Sequence, residues 1–247
     1  MNQWAAFCCG ILLFGCFSNA SAQIEQPPVP FIEVISGCTS HGGRCVNIRS
    51  GPGTDYPVVK TLRMGGILEI DGVVYRESRA WYRIKHDTNL RYPERVKGEW
   101  YIASDFTKMH TAGREAIAPA TNAKNKTIVV NLKLQTLSAF EGTELFMNAK
   151  VSTGITKTPT PKGTFKIFKK KPSRYMQGPL PHVSDKYYDL PGVPWTMYFT
   201  QDGAAIHGTY WHQSFGTQRS NGCINLPVDL AEKLYAWAPI GTRVIVK

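Results

Sequence analysis

The sequence predicts a mainly β protein built as two bodies, on three observations. Between residues 33 and 109, short apolar runs are broken by the turn signals SGPGTDYP, MGG and IDG, the pattern of a small β-barrel-like module. From residue 126, TIVVNLKLQTLSAF alternates Ile128, Val130, Leu132 and Leu134 with Val129, Asn131, Lys133 and Gln135, and a period of two marks a half-buried strand. One stretch has helical spacing: after Pro227, Leu230, Leu234 and Trp237 fall at i, i+4 and i+7, with Asp229 near the positive end of the dipole.

The chain opens MNQWAAFCCGILLFGCFSNASAQ, an apolar run from Trp4 to Phe17 followed by Ala20-Ser21-Ala22. This predicts an export signal over residues 1–22 with an A-x-A cleavage site. The run is short for a bilayer, which takes about 20 helical residues, and no second candidate follows, so no transmembrane segment remains after cleavage. The expected location is outside the cytoplasmic membrane, in the periplasm or cell wall. Leu13-Phe14-Gly15-Cys16 also resembles a lipoprotein cleavage box, which leaves lipidation of Cys16 as the alternative. Residues 23–32 form a Pro-rich lead-in.

Cleavage leaves three cysteines. Cys38 and Cys45 flank TSHGGR, where Gly42-Gly43 turns the chain, so a local disulfide is expected in an exported protein. Closing so short a loop stabilises by roughly 2.5 kcal/mol. Two free buried thiols are the alternative. Residues 110–125, poor in large apolar side chains and rich in Ala, Thr and Asn, read as a linker. In the second body, 126–247, further strands are expected at LFMNAKVST, GTFKIFKK, TMYFT, AAIHG and RVIVK. The helix ends at APIG.

Hydrophobic content of 43% is ordinary for a folded chain, and the net charge of +11 favours an anionic partner. No nucleic-acid motif is present. An anionic cell-wall polymer or membrane surface suits the charge, and a solvated basic face is the alternative.

Cys223, in SNGCIN, is the odd cysteine of an exported chain. A lone cysteine is commonly a small buried hydrophobe. Here His207 and His212 lie upstream, and a thiol nucleophile needs an imidazole to remove its proton. Gly222 permits a tight turn, with the Gly222 and Cys223 amides as candidate oxyanion donors. Strand, loop, S-x-G-C and helix form a catalytic layout. A zinc site on His207, His212 and Cys223 lacks a fourth ligand, and neither C-x-x-C nor H-E-x-x-H occurs. No metal or cofactor is expected. Papain-like order would place Cys before His; here it is reversed.

His207 followed by Ser220-Asn221-Gly222-Cys223-Ile224-Asn225 resembles the signature of the L,D-transpeptidase family, whose catalytic domain is also called YkuD. VSTGITKTPTPKGTF resembles that family's Thr-Pro-Thr-Pro-x-Gly turn, and the likeness extends over residues 126–247. In residues 33–109, VNIRSGPGTDYPVVKTLRMGG, WYRIK and GEWYIASDFTKM resemble a bacterial SH3-like domain, with HDTNLRYPERVK as a longer connection than usual. The resemblance implies a β-sandwich-like catalytic domain and peptidoglycan stem peptides as substrate. It implies Cys223 as nucleophile, His207 as base and the Gly208 carbonyl as its orienting group. Ser220, Asn221, Gly222 and Asn225 surround the nucleophile, and Asn221 stands where the family usually has His, a change expected to tune activity. Trp195, Tyr198 and Trp211 are candidate site aromatics, with a place in the core as the alternative. Three functions remain open: transpeptidase, L,D-carboxypeptidase, and an inactive wall-binding protein.

Overall fold

The computed structural model describes residues 31–110 and 123–247. The expected export signal, Cys16, nearly all of the expected lead-in and most of the expected linker lie outside the described residues.

The N-terminal module contains β1 (Phe31–Val34), β2 (Val46–Arg49), β3 (Val58–Leu62), β4 (Ile67–Arg76), β5 (Arg79–Ile84), β6 (Trp100–Ala103) and β7 (Thr107–Met109). They form one sheet in the order β3-β2-β6-β5-β4-β1-β7, with every pairing antiparallel. Alternation puts Ile32, Val34, Ile48, Leu68, Ile70 and Ile102 on one side as a core. Cys38 and Cys45 are bonded as a disulfide, as their spacing predicts.

The C-terminal body is a sandwich of two sheets. The first contains β8 (Lys126–Asn131), β9 (Thr136–Glu141), β10 (Glu144–Lys150), β11 (Gly163–Lys166) and β16 (Arg243–Val246) in the order β10-β9-β8-β16-β11. The second runs β12 (Lys169–Leu180), β13 (Ser184–Tyr198), β14 (Ala205–Gly208), β15 (Ile224–Leu226). Ile128, Val130 and Leu137 of one sheet meet Met197, Ile206, Ile224 and Leu226 of the other in a single core. Helix α1 (Val228–Trp237) adds Ala231, Leu234 and Tyr235, with Leu230 and Trp237 packed at its edge. No helix among the described residues is long and apolar enough to cross a membrane.

The β12–β13 hairpin was not foreseen at this length. KKKPSRYMQGPL and SDKYYDLPGVPWTMY carry four prolines, which argue locally against strands. They are tolerated because β12 is the sheet's edge and β13 meets β14 only through Met197 and Tyr198. The hairpin reaches the N-terminal module, and the two bodies exchange core residues: Tyr175 of β12 belongs to the module's core, while Phe31 and Ile67 belong to the sandwich's. Ser173 Oγ donates to the Ile67 carbonyl at 2.6 Å, and Lys60 pairs with Asp189.

Candidate active site

Strands β14 and β15 are parallel neighbours with Ile206 opposite Ile224 and His207 opposite Asn225. Because side chains alternate, the two isoleucines enter the core while His207 and Asn225 face the other way. Cys223, just ahead of β15, projects to that same face. His207, Cys223 and Asn225 therefore line one cleft of about 700 Å³, together with Tyr188, Tyr198, Trp211, Ser220, Asn221 and Gly222.

The turn that presents Cys223 is held by its own side chains. Gly222 has φ 110°, a left-handed conformation that suits glycine. Ser220 Oγ accepts from the Gly222 amide at 3.2 Å and donates to the Cys223 carbonyl at 2.5 Å. This corrects one expectation: the Gly222 amide is occupied by Ser220, which leaves the Cys223 amide as the remaining candidate oxyanion donor of the two. The Thr-Pro-Thr-Pro segment braces the turn from the other side. Thr160 Oγ1 accepts from the Gly154 amide at 2.9 Å, Thr158 Oγ1 donates to the Ser220 carbonyl at 3.4 Å, and Pro159 and Pro161 line the cleft.

His207 is buried, and its Nδ1 donates to the Gly208 carbonyl at 3.0 Å. That bond places the proton on Nδ1 and leaves Nε2 with a free lone pair. A side chain at Gly208 would meet Pro194 Cγ at 2.8 Å, so glycine is what lets this carbonyl approach. Burial lowers the His207 pKa to about 4 against the raising effect of the Gly208 bond, and His212 lowers it further. Burial likewise pushes the Cys223 thiol up, opposed by a hydrogen bond from Ala205. Both shifts favour a neutral thiol beside a neutral imidazole.

His212 is engaged elsewhere. Its Nδ1 accepts from the Ser214 amide at 3.2 Å, so Nε2 carries the proton in the neutral ring. Nε2 lies 3.1 Å from Asn225 Nδ2, and since two donors cannot pair, the amide is assigned with its nitrogen and oxygen exchanged, which gives the otherwise unpartnered buried oxygen this bond. Burial, Arg219 and Lys186 lower the His212 pKa to about 4. His212 thus acts as a neutral donor to Asn225.

Tyr198, Trp211, Ser220, Asn221, Gly222 and Asn225 all reach the cleft. Trp195 does not: it is 1% exposed in the sandwich core, against His110 and Tyr235, because β13 turns it inward. Among the described residues, no group of three or more His, Cys, Asp or Glu side chains converges to hold a metal. Sequence reading missed Tyr188, Lys186 and Arg174 of the hairpin, and Thr88 to Arg91 of the N-terminal module, all of which line the cleft. The one available signal was the unusual length of HDTNLRYPERVK.

Two family models match this chain. The YkuD model, an L,D-transpeptidase catalytic domain, matches residues 125–246, and the bacterial SH3 domain model matches residues 46–101. The candidate L,D-transpeptidase YqjB of Bacillus subtilis (strain 168) is 30% identical over 124 residues, covering 48% of this chain and 69% of that protein. Among solved structures, an L,D-transpeptidase from Mycobacterium smegmatis aligns with 21% identity over 68% of this chain and 90% of its own, at a TM-score of 0.47. The catalytic domain of an L,D-transpeptidase from E. faecium aligns with 25% identity over 50% of this chain and 98% of its own, at a TM-score of 0.44. With the family model falling on the body that carries Cys223 and His207, and YqjB matched over more than two thirds of its length, this chain belongs to the L,D-transpeptidase family.

Proposed function

We propose that the protein is a cysteine-dependent L,D-transpeptidase that cross-links peptidoglycan stem peptides outside the cytoplasmic membrane. The observation that carries this reading is the placement of Cys223 and His207 on one face of the cleft, with the imidazole tautomer set by the Gly208 carbonyl. His207 Nε2 takes the thiol proton as sulfur attacks the carbonyl of an L,D peptide bond in a stem tetrapeptide. The Cys223 amide stabilises the developing oxyanion. The tetrahedral intermediate expels the terminal D-alanine, whose amine takes the proton back from His207, and a thioester remains on Cys223. An amine of a second stem attacks the thioester and gives its proton to His207. The cross-link then joins third residues, and the thiol is regenerated as it leaves. Asn221, half-buried at the rim, tunes this chemistry without supplying the base.

The test uses a carbapenem, the lactam class that the family resemblance implies. Its strained carbonyl occupies the place of the peptide carbonyl and yields a stable thioester. Intact-mass measurement is expected to show a one-to-one adduct on the natural protein and none on Cys223→Ala. Incubation with stem tetrapeptides is expected to yield a cross-linked dimer. A product consisting only of the shortened tripeptide would identify a carboxypeptidase, and an adduct persisting on Cys223→Ala would place the nucleophile elsewhere.

A further inference from the structure

Residues 85–99 join β5 to β6, a connection of adjacent antiparallel strands that usually takes only about 2–5 residues. The extra length is not a loose loop. Asp87 accepts from the Tyr175 amide at 2.6 Å and pairs with Arg174 at 2.7 Å. The Asn89 carbonyl accepts from Arg174 at 2.8 Å, Tyr92 exchanges two bonds with Gln177, and Arg95 donates to the Gly178 carbonyl at 2.7 Å. The connection is thereby laid along the edge strand β12, whose other side carries the catalytic sheet.

This docking brings Thr88, Asn89, Leu90 and Arg91 into the same cleft as Cys223 and His207. Arg91 is exposed, and no ion pair engages it among the described residues. It lies within electrostatic reach of Tyr188, a phenol that also senses Cys223 and is pushed up to about 12, chiefly by burial. Lys186 and Arg219 line the cleft as well, and among the described residues the only acidic side chain in the lining is Asp202. A cleft with this imbalance attracts an anionic ligand. An arginine at its wall has the geometry to hold a carboxylate through two parallel bonds.

We propose that residues 88–91 of the N-terminal module form a recognition wall of the catalytic cleft, and that Arg91 is a specificity-determining residue binding a carboxylate of the peptide presented to Cys223. This rests on the peptide substrate proposed above. The module's role is then to complete the site.

The test separates binding from turnover by using full-length Cys223→Ala protein and isothermal titration with a stem tetrapeptide. A second set of peptides carries one carboxylate at a time converted to the amide. Arg91→Ala is expected to weaken the tetrapeptide roughly tenfold, as for a lost charge-assisted contact, Arg91→Glu to weaken it further, and Arg91→Lys to recover part of the loss. One amidated peptide is expected to bind the Arg91 protein about tenfold more weakly and to show no further loss with Arg91→Ala. Equal affinity with and without Arg91 overturns the proposal, as does a loss that is the same for every peptide. Failure of the natural protein to form a carbapenem adduct counts against the transpeptidase reading, whereas unchanged peptide affinity counts against Arg91 alone.

Discussion

Replacing Asp87 by Ala tests whether the two bodies act as one folding unit. Its carboxylate accepts from the Tyr175 amide and from Arg174, with the Asp87 and Arg174 side chains 17% and 22% exposed. The variant leaves the amide of a buried tyrosine without an acceptor and a guanidinium without its counter-charge. A bond to a charged group contributes roughly 1.5–3 kcal/mol, and breaking a fully buried pair costs about 3–5 kcal/mol. Arg174 keeps its bonds to the Asn89 carbonyl at 2.8 Å and the Tyr198 hydroxyl at 3.1 Å, and water reaches it in part. Those retained contacts place the loss near the low end, at about 2–3 kcal/mol. With a urea slope of about 2–3 kcal/mol per molar, the unfolding midpoint falls by about 1 M. Because Tyr175 sits in the module's core and Phe31 and Ile67 in the sandwich's, the loss is expected in one cooperative transition. A midpoint shift under about 0.2 M, or two transitions of which only one moves, refutes this account of the junction.

Two further predictions concern Cys223 and His207, the proposed catalytic pair. The thiol is raised and the imidazole lowered to about 4, so thiolate is scarce at neutral pH and grows as pH rises toward the thiol's value. Alkylation of Cys223 by iodoacetamide should therefore climb about tenfold per pH unit from roughly pH 5 to 8, and a plateau within that range would reveal a preformed thiolate–imidazolium pair instead. His207→Ala should lower stem-peptide turnover at least about a hundredfold, with Asn221→His retaining activity and His212→Ala milder, because His212 is committed to Asn225 and Ser214. A crippling His212→Ala beside a mild His207→Ala would reverse the base assignment.

Much of the fold, and the residues that make up the candidate site, were legible because their signals are local. The period of two through Ile128 and Val130 follows from strand geometry alone. The chemistry of S-x-G-C with an upstream histidine follows from what a thiol needs in order to react. Trp195 was less tractable, because a strand's two faces are distinguished only by what packs on each. Its burial is decided by Tyr235 of α1 and His110 of the N-terminal module, both distant in sequence. The partnership of His212 and Asn225 was equally hidden, since it depends on how the loop between β14 and β15 folds back over the sheet.

The β12–β13 hairpin was illegible for a reason that also explains its role. Pro172 and Pro179 lie in an edge strand and Pro191 and Pro194 in a stretch of β13 that has β12 as its one strand neighbour, the kind of position in which a sheet tolerates proline. An edge rich in proline resists pairing with another chain. What it receives instead is the long β5–β6 connection, which engages it mainly through side chains and selected carbonyls: Asp87, Gln177, Arg95 and Tyr92 make the bonds. The prolines that hide the hairpin from sequence reading thus leave an edge that this connection covers. The cleft wall from Thr88 to Arg91 exists only when both bodies are folded together. Site and junction are one structure, so a change at Asp87, far along the chain from Cys223, is expected to reach the cleft through Arg174 and its bond to Tyr198.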